Sequence, residues 1–159
     1  MYKIYHKITK IIAIIILFLN FTHVNATEIK KIKILEVPYN ISKLELIDYN
    51  EKKTYLNKKK AKFFIINFWA SWCAPCVKEM GSLNRLKRYN EDIRVITISE
   101  DSDILNSKKF FSKNDYNFLE KYFDKNKEII NQFSVRGLPT TFIADENYDA
   151  FAKVEGIIE

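Results

Sequence analysis

Beyond its first 26 residues this chain contains no histidine: the two present in 159 residues are His6 and His23. A Cys–His nucleophile, a His-ligated copper or iron centre and a mononuclear Cys/His zinc site all lose their second component in the rest of the chain. Cysteine is equally scarce. Cys73 and Cys76 are the only two, whereas a zinc ribbon or finger takes four ligands, commonly as two spaced pairs. With three glycines and three prolines there is no Pro/Gly/Ser-rich linker, and no internal repeat is visible, which argues for one folding unit. Excess charge is small once the leader lysines are set aside: 23 cations against 20 acids leave a net charge of +3, too even a balance to imply nucleic acid. The run Lys58-Lys59-Lys60 has no interleaved aromatics and reads as a solvated turn.

The N-terminus has its own composition. Lys3, Lys7 and Lys10 stand there without an acid, Ile11 to Leu19 is unbroken apolar sequence, and Val24-Asn25-Ala26 offers small residues. That is the pattern of a secretory signal cleaved between Ala26 and Thr27. Spanning a membrane takes about 20 apolar residues, and residues 11–24 fall short, so cleavage is the favoured reading and an uncleaved anchor through 11–24 the other. Either way residues 27–159 form a domain outside the cytoplasm, periplasmic or otherwise exported, where disulfides persist.

What the chain does have is a Cys-x-x-Cys in Trp69-Ala70-Ser71-Trp72-Cys73-Ala74-Pro75-Cys76, directly after the apolar run 63–68. A strand that stops at such a pair and restarts as a helix puts the first sulfur at a helix N-terminus, where free N–H groups and the macrodipole favour a thiolate. Three readings survive the exclusions: a redox dithiol, a structural disulfide, or a metal shared between two chains. A structural bridge here would close only a very short loop, for which the entropic gain is small. The redox reading is therefore favoured.

Residues 28–40 read as a poorly patterned connector, followed by short strands at 44–49 and 53–56 around Asn50-Glu51. The continuous apolar run 63–68 suits a strand buried on both faces of a parallel sheet. A helix is expected over 74–89, with Val77, Met80, Leu83 and Leu86 or Lys87 inward. A strand at 93–99 precedes a helix capped by Asp101 or Ser102 and running to about 112, with Ile104, Leu105, Phe110 and Phe111 inward. A strand at 118–123, a helix at 127–133, and strands at 140–144 and 151–155 about a turn complete an α/β pattern with a mixed sheet.

Two motifs together, Phe68-Trp69-Ala70-Ser71-Trp72-Cys73-Ala74-Pro75-Cys76 and Val135-Arg136-Gly137-Leu138-Pro139-Thr140-Thr141-Phe142, resemble the thioredoxin superfamily. In detail they are similar to its TlpA/ResA-like branch of exported disulfide reductases, over about residues 33–159. The resemblance implies a thioredoxin fold, a mixed central sheet flanked by helices with a short N-terminal β-hairpin extension, and a cis Pro139 facing the cysteines. It implies that Cys73 is an exposed nucleophile, that Cys76 resolves the mixed disulfide, and that Trp72, Pro75, Leu138 and Pro139 contact substrate. Pro75 also suits a first helical turn, where its missing N–H costs nothing, while Trp69 is expected in the core. Where thioredoxins proper carry a buried aspartate this chain has Asn67; Glu100, after the strand 93–99, matches a carboxylate of some branch members and is the expected proton acceptor for Cys76. No cofactor is implied. The implied partners are protein disulfides and an upstream membrane electron donor, and the implied tasks are cytochrome c maturation or copper-centre assembly. Family members usually continue into a final helix, so the stop at Gly156-Ile157-Ile158-Glu159 suggests that this helix is absent or truncated. A non-enzymatic Cu(I) metallochaperone on the same two thiolates is the alternative, although such proteins on this fold usually add a histidine.

Overall fold

The computed structural model describes residues 32–158. The leader at 1–26, its cleavage point and the anchor reading of 11–24 lie outside the described residues. Within them no helix is long and apolar enough to cross a membrane.

The centre of the domain is β4 (Phe63–Trp69), whose residues after Phe63 are all buried. Its alternation splits the core in two: Phe64, Ile66 and Phe68 point into one apolar cluster, and Ile65 and Trp69 into the other. Two parallel crossovers follow, through α1 (Ala74–Tyr89) to β5 (Ile93–Ser99) and through α2 (Ile104–Ser112) to β6 (Glu120–Phe123). Right-handed crossovers in one direction lay both helices on one face, and Met80, Leu83 and Phe111 accordingly join the cluster of Trp69. The opposite face is covered by α3 (Glu128–Gln132) and the small hairpin β2 (Glu45–Ile47) and β3 (Lys53–Tyr55), which bring Leu46, Leu56 and Ile129 against Phe68 and Phe142. After α3 the chain returns as β7 (Thr140–Asp145) and β8 (Asp149–Glu155), both antiparallel. With β1 (Ile32–Asn40) the six-stranded order is β1-β8-β7-β4-β5-β6. This is the expected mixed sheet flanked by helices, with the hairpin as its extension.

Four local expectations are corrected. Residues 32–40 are a strand, not a connector. As an edge strand bonded only to β8 and exposed along most of its length, it owes its conformation to the ladder and shows no amphipathic alternation. The inward face of α1 runs through Cys76, Glu79, Met80 and Leu83, with Glu79 fully buried. The cap of α2 is Asp103, accepting from the Leu105 N–H at 2.8 Å, and Leu105 itself is 63% exposed. Strand β6 begins at Glu120, leaving Phe118 exposed.

Candidate active site

The strand β4 ends at Trp69 and the chain turns through four residues into α1, whose N-cap is Cys73 with Pro75 in the first turn. A proline there forfeits only an N–H that has no intrahelical partner. Cys73 and Cys76 are joined as a disulfide with their Cα atoms 5.2 Å apart, and Cys73 Sγ accepts from the Cys76 N–H at 3.3 Å. The first sulfur thus stands where helix N–H groups favour negative charge. Contrary to the expectation of an open nucleophile, Cys73 is only 6% exposed, and Cys76 is wholly buried. Packing of the bridge in the apolar cluster with Trp69 and Leu138 explains its cover. Trp72 is exposed and Trp69 is buried, its ring tilted against Phe110 at 4.9 Å and edge-on to Phe111 at 5.1 Å between centroids.

The turn before Cys73 is pinned by Asp101. Its buried carboxylate accepts from the Ser71 N–H at 3.2 Å, the Ser71 hydroxyl at 2.7 Å and the Ser99 hydroxyl at 2.8 Å. This side chain serves the site rather than the helix that follows.

The Leu138–Pro139 peptide bond is cis. Gly156 N–H donates to the Pro139 carbonyl at 2.9 Å, and the Thr140 hydroxyl to the Gly137 carbonyl at 2.8 Å. Leu138 packs against both core clusters, while among the described residues its own peptide N–H and carbonyl make no hydrogen bond.

The buried face of α1 also carries a carboxylate that hydropathy reasoning does not find. Glu79 follows Cys76 by three positions on the same helix, a spacing that stacks side chains on one face, and is completely buried. Asn67 Nδ2 donates to its Oε1 at 2.7 Å and to Thr141 Oγ1 at 2.9 Å, and the Ile158 N–H donates to its Oε2 at 2.8 Å. Burial outweighs these two hydrogen bonds and raises its pKa to about 7. The one sequence signal for it was a polar residue, Asn67, in an otherwise apolar strand, since a buried amide demands a polar partner.

Glu100 is also buried, and burial together with the nearby Asp124 charge raises its pKa to about 7 against the lowering effect of Lys127. Its backbone N–H donates to the Trp69 carbonyl at 2.8 Å. The side chain, however, pairs with Lys127 Nζ at 3.2 Å, and its Oε1 is buried without a partner. Among the described residues its side-chain partners, Lys127 and Asp124, sit around the N-terminus of α3. Among the described residues no cluster of three or more His, Cys, Asp or Glu side chains suits a metal ion.

The AhpC/TSA family profile matches residues 37–149. The chain belongs to the AhpC/TSA family. Within this family, a ResA thiol–disulfide oxidoreductase of Bacillus cereus is 35% identical over 111 residues, which cover 69% of this chain and 64% of that protein. Another ResA, from Bacillus thuringiensis subsp. konkukian, is 32% identical over 124 residues, 77% of this chain and 71% of the relative. The chain thus spans about two thirds of the length of these relatives. A crystal structure of a candidate thiol:disulfide interchange protein DsbE from Chlorobium tepidum superposes with a TM-score of 0.70 at 22% identity, over 78% of this chain and 88% of that one. The family domain here therefore has the thioredoxin fold and is of the ResA thiol–disulfide oxidoreductase type.

Proposed function

We propose that the whole protein is an exported reductase of disulfides in partner proteins. The Cys73 thiolate attacks one sulfur of a partner disulfide, forming a mixed disulfide and releasing the partner's other sulfur as a thiolate. The Cys76 thiolate then attacks Cys73 Sγ, freeing the second partner thiolate and leaving the Cys73–Cys76 bridge. An upstream membrane dithiol donor returns two electrons to that bridge. The tasks carried over from the resemblance are electron supply to cytochrome c maturation or to copper-centre assembly. The single observation that carries the reading is a disulfide capping a helix N-terminus in the same apolar cluster as the cis-proline loop. Trp72, Pro75, Leu138 and Pro139 form the substrate-facing set, with the unpaired peptide groups of Leu138 ready to bond an extended substrate backbone.

Cys76 must lose its proton before it can resolve, and burial in apolar surroundings holds that proton on. Two carboxyls with pKa near 7 are candidates to take it. Glu79 is favoured because it shares the buried face of α1 with Cys76; Glu100 is the second candidate through its place beyond the carboxyl end of β5. Substituting each by Gln separates them: loss of the neutral limb of the pH–rate profile in E79Q alone assigns the proton to Glu79, and in E100Q alone to Glu100.

The test of the reaction is trapping. In C76S, the mixed disulfide with a partner should accumulate, whereas C73S should trap none. In the reduced protein, alkylation near neutral pH should label Cys73 before Cys76. Equal labelling, or mixed disulfides through Cys76, would overturn the assignment.

A further inference from the structure

A groove of about 750 Å³ opens beside the cis-proline loop, with Leu138 and Pro139 in its wall and Lys33, Arg136, Lys153 and Glu155 as its charged lining. The dithiol chemistry uses none of these four charged side chains. Three cations meet one carboxylate there, a net charge of +2. Lys33 and Lys153 are direct cross-strand partners between β1 and β8, and like charges directly opposite one another are destabilising. Glu155 bridges them, pairing with Lys153 at 2.8 Å and also with Lys33, and these two cations hold its carboxyl low, at about 2. Arg136 is exposed and, among the described residues, has no partner. The groove therefore keeps an excess of +2, and Arg136, the cation that Glu155 does not pair with, stands two positions before Leu138.

Leu138 packs on the cluster that holds the disulfide and on the opposite cluster, so the loop is a wall common to the dithiol and the groove. An extended chain bonded to the free peptide groups of Leu138, with its cysteine at Cys73, has side chains alternating along it at about 3.3 Å per residue. A side chain two to three residues from the cysteine then lies about 7–10 Å along that chain, and Arg136 is two residues from Leu138 on the loop.

We infer that this groove selects partner proteins carrying an acidic side chain within about three residues of the reactive cysteine, read by Arg136 with Lys33 and Lys153. The inference rests on the reductase reading of Cys73 and Cys76, and it adds what the substrate must look like. A guanidinium matches a carboxylate in two-pronged geometry, and at an exposed site such a pair acts as a modest, salt-sensitive preference.

The experiment uses the reduced full chain and disulfide-linked peptides of equal length that carry Asp, Asn or Lys at the three positions flanking the cysteine on each side. Uncharged 2-hydroxyethyl disulfide is a parallel substrate. The Asp peptide should show kcat/KM about fivefold above the Lys peptide at low salt, collapsing toward unity near 0.5 M salt. In R136E the order should invert, and in K153E the ratio should narrow. A ratio near one in the wild type, or a ratio that R136E leaves unmoved, overturns the groove proposal. If the wild type fails to reduce 2-hydroxyethyl disulfide, it is the dithiol reading that falls; if it reduces that compound while the peptide ratio is flat, the groove proposal falls alone.

Discussion

Replacing Glu79 by Gln should make this protein more stable at pH 8 while making it a poorer enzyme. The buried carboxyl has a pKa of about 7 in place of the ordinary 4.5, chiefly through desolvation. A group that holds its proton more tightly folded than unfolded contributes stability that is fully present below the unfolded pKa, near 4.5. That contribution is lost as pH rises through the folded pKa, near 7. At about 1.4 kcal/mol per pH unit across that window, the wild type loses roughly 3 kcal/mol by pH 8. Glutamine has no proton to lose. Its amide can be accommodated: Ile158 N–H keeps an oxygen acceptor, and turning the Asn67 amide over lets its Oδ1 accept from the new Nε2 and from the Thr141 hydroxyl, with Nδ2 taking the buried, partnerless position that Oδ1 holds in the wild type. Urea unfolding of the oxidised protein at pH 5 and pH 8 measures the effect. The E79Q and wild-type midpoints should nearly coincide at pH 5 and separate in favour of E79Q at pH 8. Reduction rates should fall by about 10²-fold, the scale of one acid–base group. Parallel stability curves for the two proteins from pH 5 to pH 8 would refute the buried, neutral Glu79.

The Ile158 N–H lowers the Glu79 pKa by hydrogen bonding, so I158P, which removes that donor, should move the pH–rate midpoint upward, while I158A should leave it in place. D101N exchanges a carboxylate oxygen for a donor among three groups that all donate to it; leaving one of them unpaired should cost about 1–3 kcal/mol in chemical denaturation. Combining D101N with S71A should give less than the sum of the two single effects. Phe68 is fully buried and lies 5.1 Å from Phe133 and 6.1 Å from Phe142, so F68A should lower stability by about 3–5 kcal/mol. A loss below about 1 kcal/mol would show that this cluster relaxes around the cavity.

Local chemistry carried much of the reading. The run 63–68 announced a central strand because only a strand covered on both faces is apolar at every position, and β4 is that strand. Cys73 and Pro75 marked a helix start because a cap and a first-turn proline are defined by their immediate neighbours, and α1 begins there. The same locality explains the errors. Strand β1 has no pattern of its own, since its conformation is set by β8, more than a hundred residues away in sequence. The cap is expected at Asp101 or Ser102 because both residue types suit it; Asp103 caps instead, and Asp101 is occupied by Ser71 and Ser99.

The sequence by itself therefore determined the dithiol, the helix that presents it, the alternation of strands and helices and the family motifs, because each depends on residues within a few positions of one another. Tertiary structure alone decided the cover over Cys73, the pairing of Glu100 with Lys127, and the +2 groove that β1, β8 and the cis-proline loop share. It also decided the fate of Glu79. A glutamate on a helix is ordinarily solvated; this one is buried because Asn67 from β4 and the Ile158 N–H beyond β8 converge on it. Its pKa of about 7 then follows from desolvation, a property of the assembled neighbourhood and of no single residue in it.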